Sequence, residues 1–367
     1  MELMNDATTI ERHMFAKAAE QRLPLYGVLE LLPLCNLNCD MCYVRMSRTE
    51  MEQVGRLQTL DEWIQIAEDM AKARTLFVLL TGGEPLLYPD FRPFYLKLLE
   101  LGMIVTINTN GTLLDEEWAD FFAQHKPRRI NITLYGASNA TYEKLCHHPK
   151  GYDLTIQGIK LLKARNVDVK INGSLAKENV DDRMKIIEIG ESMDIPVRID
   201  TYMYPTVRER LHPYNEQARL SPEIAAKARV EVLRREMGEE LFAQYRQLTL
   251  HDAKNTPEGE EIPGRMKCRA GQSSFVINWQ GQMRSCVVLD EPSISLKETS
   301  FEAAWKQGVE EVEQIRTSSK CSKCKLRKVC NTCAAAAIAE TGEADGVPDY
   351  ICRYTEATIY YLEQTEK

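Results

Sequence analysis

Three cysteines near the amino terminus have the type and spacing of iron–sulfur ligands. Cys35, Cys39 and Cys42 lie within residues 34–43, with three residues between the first pair and two between the second. Most four-iron–four-sulfur (4Fe–4S) clusters take four Cys ligands. Three thiolates would leave one iron open, and an open iron can bind a small molecule. The alternative is structural zinc, but zinc prefers four ligands in paired knuckles, and neither a second knuckle nor a His pair follows here.

Length, charge and cysteine count limit the possible classes of protein. The 367 residues suffice for one large domain and a smaller one, and the net charge is −8. Basic residues are not clustered as nucleic-acid binding requires, and the densest run, residues 320–328, is interleaved with cysteines. No apolar run reaches the roughly 18 residues of a membrane span, and residues 1–22 lack the apolar stretch of a signal peptide. We therefore expect a cytoplasmic protein, without nucleic-acid or membrane partners, whose eleven cysteines bind metal rather than form disulfides.

The first half of the chain alternates apolar runs with amphipathic stretches, which predicts strands and helices in turn. The predicted strands are residues 23–32, 76–80, 104–107, 130–134, 167–171 and 197–199, and the predicted helices are residues 60–73, 91–101, 115–124, 152–165 and 181–192. Thr59 and Glu62 form a capping box at the start of the first helix, and Gly102 is expected to end the second. Six strand–helix repeats predict a parallel sheet that right-handed crossovers curl into a barrel or partial barrel.

The second half of the chain changes character twice. Ser221 and Pro222 predict the start of a long charged helix that runs to about Leu248, and residues 251–264 are expected to form a loop. From Cys268 onward the sequence predicts cysteine loops, short helices and one hairpin, with Gly281 as the positive-φ residue of its turn. The expected fold class is α/β, a partial (β/α)6 TIM-like barrel followed by a small cysteine-rich domain.

Polar groups follow the predicted strands, where the active-site groups of such barrels lie. Gly82, Gly83 and Glu84 follow the second strand. The two glycines let the backbone pass close to a ligand, and the carboxylate can bind a cation. Amide and hydroxyl groups follow the third, fourth and fifth strands at Asn110, Thr133, Asn172 and Ser174. Ordinary strand-to-helix turns are the alternative, because turns favour these residue types anyway.

The cysteine spacing and the Gly82-Gly83-Glu84 element together resemble the signature of radical S-adenosylmethionine (SAM) enzymes. The resemblance implies that the open iron chelates the amino and carboxylate groups of the methionine moiety, and that one electron from the cluster splits the sulfonium to leave a 5′-deoxyadenosyl radical. It also implies that Glu84 binds the methionine ammonium in a charge-assisted hydrogen bond, and that Thr133 lies near the ribose. Asn110, Asn172 and Ser174 are further candidates for SAM contacts.

Two positions depart from that signature. Met41 stands where an aromatic residue often precedes the third cysteine, and Cys146 lies roughly where many relatives carry an Arg that helps to hold the methionine carboxylate. The simple interpretation of Cys146 is a buried small hydrophobe. The sharper hypothesis is a thiol that donates a hydrogen atom to a substrate Cα radical, as an epimerase would require.

Seven later cysteines, spread over nearly ninety residues, resemble in order the SPASM domain of peptide- and protein-modifying enzymes. The resemblance implies two auxiliary iron–sulfur clusters, expected to be 4Fe–4S, one held by Cys268, Cys286 and Cys333 and the other by Cys321, Cys324, Cys330 and Cys352. The first set has only three cysteines, so its cluster has an open iron, a non-Cys ligand or a different nuclearity. A zinc-ribbon-like domain is the alternative, because zinc accepts Cys-x2-Cys pairs.

The resemblance covers roughly residues 24–355 and implies an oxidoreductase that acts on peptides or proteins. Sulfatase-maturating enzymes place an Asp directly after the second SPASM cysteine, and here Val287 follows Cys286. We therefore expect a maturase of a ribosomally made peptide, which forms thioether or carbon–carbon crosslinks or epimerises a residue. The alternative is anaerobic formylglycine generation on a sulfatase. A non-enzymatic iron–sulfur electron carrier or sensor is the alternative from another class, and it leaves the Gly82-Gly83-Glu84 element unexplained.

The expected domain boundaries follow from these assignments. They are an N-terminal extension at 1–23, the radical SAM barrel at 24–205, a bridging helix and loop at 206–265, the SPASM domain at 266–355 and the end of a C-terminal helix at 356–367. Since only about 23 residues precede the first strand, we expect no leader-recognition domain in the chain. A separate protein or the barrel itself would then bind the leader, and a flavodoxin- or ferredoxin-type protein would supply electrons.

Overall fold

The computed structural model describes residues 9–204, 218–257 and 268–365. The strands of these ranges are β1 Tyr26–Glu30, β2 Phe77–Thr81, β3 Ile104–Thr109, β4 Arg129–Thr133, β5 Val169–Ser174, β6 Val197–Asp200, β7 Ser274–Ile277, β8 Gln282–Arg284 and β9 Ser293–Ser295. Their α-helices are α1 Thr9–Glu20, α2 Arg48–Val54, α3 Leu60–Lys72, α4 Phe91–Glu100, α5 Glu116–Gln124, α6 Asn139–Cys146, α7 Gly151–Ala164, α8 Arg183–Ser192, α9 Pro222–Asn255, α10 Phe301–Gln314, α11 Ser319–Lys323, α12 Ala334–Thr341 and α13 Asp349–Gln364.

The strands form one sheet in the order β6-β5-β4-β3-β2-β1-β7-β8-β9. Strands β1 to β6 are parallel and neighbours in sequence order, each joined to the next through helical segments. This confirms the predicted α/β fold with a partial TIM-like barrel. The five predicted helices between these strands are also present. Both hydrogen bonds of the capping box form, since each side chain of Thr59 and Glu62 accepts the backbone N–H of the other residue.

The sheet does not stop at β1, which sequence reasoning did not predict. Strand β7 pairs in parallel with β1, with Tyr26 opposite Ser274 and Leu29 opposite Ile277. The antiparallel strands β8 and β9 then extend the same sheet. The predicted hairpin turn is confirmed, since Gly281 lies between β7 and β8 with a φ of +79°. The cysteine-rich part of the chain is therefore hydrogen-bonded to the first strand of the barrel.

Helix α9 begins at Pro222 after the predicted N-cap, where the Ser221 hydroxyl accepts a hydrogen bond from the backbone N–H of Ile224. It bends at Gly238, which has φ +72° and ψ 167°. The expected loop at 251–264 is wrong for residues 251–255, which continue the helix. Residues 258–264 of that predicted loop lie outside the described residues.

Three helices escaped the sequence analysis. Helix α1 packs Phe15 against Phe77 of β2, with ring centroids 5.2 Å apart. Helix α2 begins at a capping box of Ser47 and Glu50, a signal that could have found it. Helix α6 ends in the cysteine that replaces the expected Arg. Helices α2 and α6 have only 7 and 8 residues, which is too short to show a clear periodic pattern.

Apolar residues of the strands and helices fill the space between the sheet and the outer helices. Ile107, Ile132 and Ile171 are fully buried there. In β3, β4 and β5 the positions of the opposite parity carry mostly polar groups, in keeping with the two-residue period of a strand. Among them, the Asn131 side-chain amide donates to Asn108 Oδ1 over 2.8 Å. No helix among the described residues is long and apolar enough to span a membrane.

Candidate active site

The loop that follows β1 brings Cys35, Cys39 and Cys42 together at the carboxyl ends of the parallel strands. Burial raises the pKa of the Cys35 thiol to about 12, and the nearby Cys42 and Cys39 add to that increase. Backbone N–H groups point at two of the sulfurs, since Leu37 N lies 3.4 Å from Cys35 Sγ and Arg45 N lies 3.3 Å from Cys42 Sγ. N–H donors of this kind stabilise thiolates, the form that binds iron.

Asn110, predicted as a SAM contact, holds this cysteine loop. Its side-chain amide nitrogen lies 3.7 Å from Cys35 Sγ and donates to Asn36 Oδ1 over 2.9 Å. Asn36 in turn donates to Thr112 Oγ1 over 2.8 Å, and Thr112 donates back to Asn110 Oδ1 over 2.6 Å. The closed ring of three side chains fixes the first cysteine against the end of β3. Sequence reasoning missed Asn36 and Thr112, although both lie next to motif residues.

The Gly82-Gly83-Glu84 element lies directly on the chain that enters the cysteine loop. Gly83 N donates to Leu32 O over 2.7 Å, and Glu84 N donates to Leu34 O over 2.9 Å. A Cβ added to Gly83 would lie 2.3 Å from the Leu34 carbonyl oxygen, and one added to Gly82 would lie 2.4 Å from the Leu32 carbonyl oxygen. Glycine is therefore required at both positions because backbone passes against backbone.

The Glu84 carboxylate is fully buried and bridges two strand ends. Its oxygens accept hydrogen bonds from the Thr109 hydroxyl over 2.7 Å, from Asn110 N over 2.8 Å and from Leu86 N over 3.1 Å. Burial raises its pKa to about 7, against the lowering effect of these three donors. The carboxylate thus joins the end of β2 to the end of β3 beneath Cys35, and its contact with a methionine ammonium stays a prediction.

The candidates Thr133, Asn172 and Ser174 lie at the carboxyl ends of β4 and β5, as predicted from their positions after the strands. Thr133 and Asn172 are aligned as neighbours across these strands, and Ser174 is aligned with Asp200 of β6. All three are half-buried. Their contacts with SAM remain predictions.

Tyr135 is a residue of this site that the sequence analysis did not find. Its phenol lies among the cysteines, and burial, together with the charges of Cys39, Cys146, Cys42 and Cys35, raises its pKa. The Tyr135 backbone N–H donates to the Tyr142 hydroxyl over 3.2 Å. The only sequence signal was its position two residues beyond Thr133 at a strand end.

Cys146 is fully buried at the last residue of α6. The neighbouring Cys146 thiol, ahead of burial, is the main cause that raises the pKa of the Cys39 thiol. The structure therefore places Cys146 in the core behind the cysteine loop. This position agrees with the simple interpretation of a buried side chain, and donation of a hydrogen atom to a substrate stays a prediction.

The later cysteines are neighbours in two sets, namely Cys268, Cys286 and Cys333, and Cys321, Cys324, Cys330 and Cys352. Their roles as cluster ligands stay predictions. Burial raises the pKa of the Cys286 thiol, and its neighbours Cys268 and Cys333 add to the increase. Burial likewise raises the pKa of Cys352 to about 11, with contributions from its neighbours Cys330, Cys321 and Cys324. The sulfurs of three of these cysteines accept backbone N–H groups over 3.4 Å, namely Cys286, Cys324 and Cys333.

A tyrosine completes the surroundings of the first of these groups. Tyr204 lies near this group, because burial and the charges of Cys333, Cys286 and Cys268 together raise the pKa of its phenol. Tyr204 follows the last residue of β6, Asp200, by four positions, so this cysteine group adjoins the carboxyl ends of the barrel strands. Among the described residues, no three His, Cys, Asp or Glu side chains converge closely enough to hold a single metal ion.

A buried cluster of charged and aromatic side chains joins the barrel to the helices that carry the later cysteines. Arg219 forms an ion pair with Glu340 of α12, in which both are nine-tenths buried, and its guanidinium lies 3.4 Å from the ring centre of Tyr350. The Tyr202 hydroxyl donates to Glu340 over 2.9 Å. Tyr350 lies two residues before Cys352, and α12 begins directly after Cys333.

Comparison with known proteins identifies the first part of the chain. The family model of the Radical SAM superfamily matches residues 29–189, which contain the three cysteines and the Gly82-Gly83-Glu84 element. Residues 29–189 are therefore a radical SAM domain. Domains of this family use a 4Fe–4S cluster and SAM, and the gathered thiols with their N–H donors fit such a cluster.

Similar proteins and structures extend the comparison to more of the chain. The AdoMet-dependent heme synthase of Methanosarcina barkeri (strain Fusaro / DSM 804) is 28% identical over 179 residues, which are 49% of this chain and 50% of that protein. The chain thus spans about half the length of this relative. The structure of Streptococcus suis SuiB bound to precursor peptide SuiA matches 93% of this chain and 79% of that chain, with a TM-score of 0.67 and 18% identity. Native anSMEcpe with bound AdoMet matches 93% of this chain and 97% of that chain, with a TM-score of 0.70 and 18% identity.

Proposed function

We propose that the protein is a radical SAM enzyme that modifies a peptide. Cys35, Cys39 and Cys42 would hold the 4Fe–4S cluster, and the fourth corner would be left for SAM. When bound, the cluster supplies the electron that cleaves SAM to a 5′-deoxyadenosyl radical. The observation that supports the proposal is the direct contact between the cysteine loop and the Gly82-Gly83-Glu84 element, because a cluster on the loop and an ammonium bound by the turn would then share one barrel mouth.

The chain's own residues prepare that site in two ways. Gly82 and Gly83 let the end of β2 pack against the backbone of Leu32 and Leu34, just before Cys35. The side-chain ring of Asn36, Asn110 and Thr112 orients the first cysteine. These residues act before any substrate arrives, as preorganised sites require.

We also propose that the later cysteines hold two auxiliary clusters, in the sets Cys268, Cys286, Cys333 and Cys321, Cys324, Cys330, Cys352. The first set adjoins the barrel mouth through Tyr204. A peptide over the strand ends would therefore lie between the SAM cluster and this auxiliary site. The polar strand positions inside the barrel, including Asn108 and Asn131, offer hydrogen bonds to a peptide backbone.

A peptide substrate is supported further by the likeness of the whole fold to SuiB, which binds a precursor peptide. A crosslink or an epimerisation of a ribosomally made peptide is our preferred reaction. Sulfatase maturation is less favoured, because Val287 stands directly after Cys286, where sulfatase-maturating enzymes carry an Asp. The partial match to a heme synthase makes a tetrapyrrole the second candidate substrate. This match covers only 49% of the chain.

The proposed chemistry is tested by reconstituting the full chain with iron and sulfide without oxygen. Reduced protein with SAM is expected to release 5′-deoxyadenosine, and the Cys35→Ala variant is expected to release none. A cluster-replete wild-type sample that forms no 5′-deoxyadenosine would favour the electron-carrier alternative. The two candidate substrate classes are then compared by adding either deuterated peptides encoded by neighbouring genes or deuterated haem-precursor tetrapyrroles. Only the true substrate is expected to transfer deuterium to 5′-deoxyadenosine.

A further inference from the structure

The basic run at residues 320–328 is a sequence feature that the proposed function does not use. Six basic residues lie between Glu313 and Glu340, and no Asp or Glu stands between those two positions. The whole chain, in contrast, has a net charge of −8. Both flanking carboxylates are engaged elsewhere, Glu313 with Arg22 and Glu340 with Arg219. The segment therefore carries positive charge that its own sequence does not neutralise.

Tight turns gather this charge within a short stretch of surface. Helix α11 has only five residues and ends at Lys323. The chain then turns twice, since Cys324 N donates to Cys321 O over 3.3 Å and Arg327 N donates to Cys324 O over 3.1 Å. These turns keep the backbone compact, so the basic side chains lie close together. We call them the basic surface, which consists of Lys320, Lys323, Lys325, Arg327 and Lys328.

The basic surface faces solvent. All four of its lysines are exposed. Three of them, Lys320, Lys325 and Lys328, form no ion pair with a described residue. Charges that are not neutralised within the chain attract an acidic partner and steer its approach before contact.

The basic surface adjoins the second set of later cysteines. Its residues alternate in sequence with Cys321, Cys324 and Cys330, and Cys324 is itself exposed. The nearby Glu356 carboxylate, which adds to the raised pKa of the Cys352 thiol, offsets one of these positive charges at most. A cluster held by this set would therefore lie at the protein surface among positive charges.

We propose that the basic surface is the docking site for an acidic one-electron carrier protein of the flavodoxin type. The inference rests on the proposed function, which consumes one electron for each SAM that is cleaved. One electron would pass from the carrier to the cluster at this set, and no bond forms or breaks and no proton moves. Electron-transfer encounters use small interfaces, and complementary charge provides their orientation and rapid association.

Two other anionic partners fit this surface less well. A nucleic acid would need basic residues along a longer stripe than one nine-residue segment. An acidic peptide could pair with the lysines but would make no use of the cysteines between them. The carrier protein is preferred because it uses both the charge and the position of the second cysteine set.

The test measures the affinity of a purified acidic flavodoxin for the full, anaerobically reconstituted chain. At about 0.1 M salt, charges more than about 10 Å from the contact are largely screened. A triple variant that reverses three charges of the basic surface is expected to bind at least about tenfold more weakly than wild type. Its substitutions are Lys320→Glu, Lys325→Glu and Lys328→Glu. At about 1 M salt, wild-type binding should fall towards that of the variant, because the Debye length is then about 3 Å.

A matched control changes the net charge by the same amount at exposed lysines of other parts of the chain. Its substitutions are Lys17→Glu in α1, Lys126→Glu after α5 and Lys160→Glu in α7. The control is expected to bind the flavodoxin within about twofold of wild type, because these distant charges are screened. With dithionite as the reductant, wild type and both triple variants are expected to form 5′-deoxyadenosine from SAM.

Several results would overturn the proposal. They are a wild-type chain that does not bind the flavodoxin, equal affinities of the two triple variants, and lysine-dependent binding of an acidic peptide but not of the flavodoxin. If the charge reversal removes iron, Gln at the same three positions repeats the comparison, and weaker binding with full iron supports docking. Loss of iron from the Gln variant as well would assign these lysines to the cluster and overturn the proposal. A wild type that binds the flavodoxin but forms no 5′-deoxyadenosine would support the docking site and refute the proposed function.

Discussion

The contact between the Gly82-Gly83-Glu84 element and the cysteine loop predicts a large effect of one methyl group. In Gly83→Ala the new Cβ would start 2.3 Å from the Leu34 carbonyl oxygen, whereas real Cβ contacts essentially never fall below 3.0 Å. The two segments must therefore separate by about 0.7 Å. The hydrogen bond from Glu84 N to Leu34 O, now 2.9 Å long, would stretch beyond bonding distance.

The cost can be assembled from these changes. Insertion of a group into packed structure costs roughly 1–3 kcal/mol, and each lost backbone hydrogen bond costs about 1 kcal/mol. We expect Gly83→Ala to lower the free energy of unfolding by roughly 2–4 kcal/mol. The strain falls on the residues just before Cys35, so the cluster site is expected to lose iron as well.

Thermal unfolding and iron content of anaerobically reconstituted protein test this prediction. Gly102→Ala is the matched control, because Gly102 has a φ of +77° but nothing within 4 Å of an added Cβ. It is expected to cost only about 1–2 kcal/mol from backbone conformation and to keep its iron. If Gly83→Ala retained both wild-type stability and wild-type iron, the inferred close approach of the two segments would be refuted.

Three further predictions concern other contacts of the structure. Arg219→Met should lower the free energy of unfolding by about 3–5 kcal/mol, because Glu340 stays buried without its ion-pair partner. Arg353→Met at an exposed pair should have a much smaller effect, and equal denaturant midpoints of the two variants would contradict this prediction. Asn110→Ala should reduce the iron retained by the cysteine loop without preventing folding, which iron analysis and circular dichroism check together, and full iron occupancy would count against the side-chain ring. Cys324→Ala should remove about four irons per chain and spare the SAM-dependent EPR signal, and loss of that signal would show that the sites are not independent.

Much of the barrel could be predicted because its signals are local. Each of the six parallel strands is a short apolar run, and Thr59 is a recognisable N-cap residue at the start of α3. Ser221 marks the start of α9 after the barrel in the same way. The pairing of β7 with β1 could not be predicted in this way. It depends on backbone hydrogen bonds between residues such as Leu29 and Ile277, which lie far apart in sequence and carry no special side chains.

In the site, too, local sequence signals could be predicted and long-range contacts could not. Residue types and spacing identified the cysteines and Glu84, because few chemistries use such a pattern. They did not reveal that Glu84 is bound by Thr109 and Asn110, nor that Asn110 faces Cys35. Such contacts depend on which strand ends become neighbours, and the register that decides this is set by packing over the whole sheet.

The shared sheet has a consequence for electron transfer. Strand β1 runs into the loop of Cys35, and β7, one strand spacing away, runs into the hairpin that leads to Cys286. The span between these two thiols is thus set by neighbouring backbones rather than by a flexible hinge. Because electron tunnelling slows steeply with distance, the pairing of β1 with β7 would fix the rate of electron transfer between the two proposed clusters. A shortened chain that ends before Ser274 would lose this fixed distance and would expose the edge of β1.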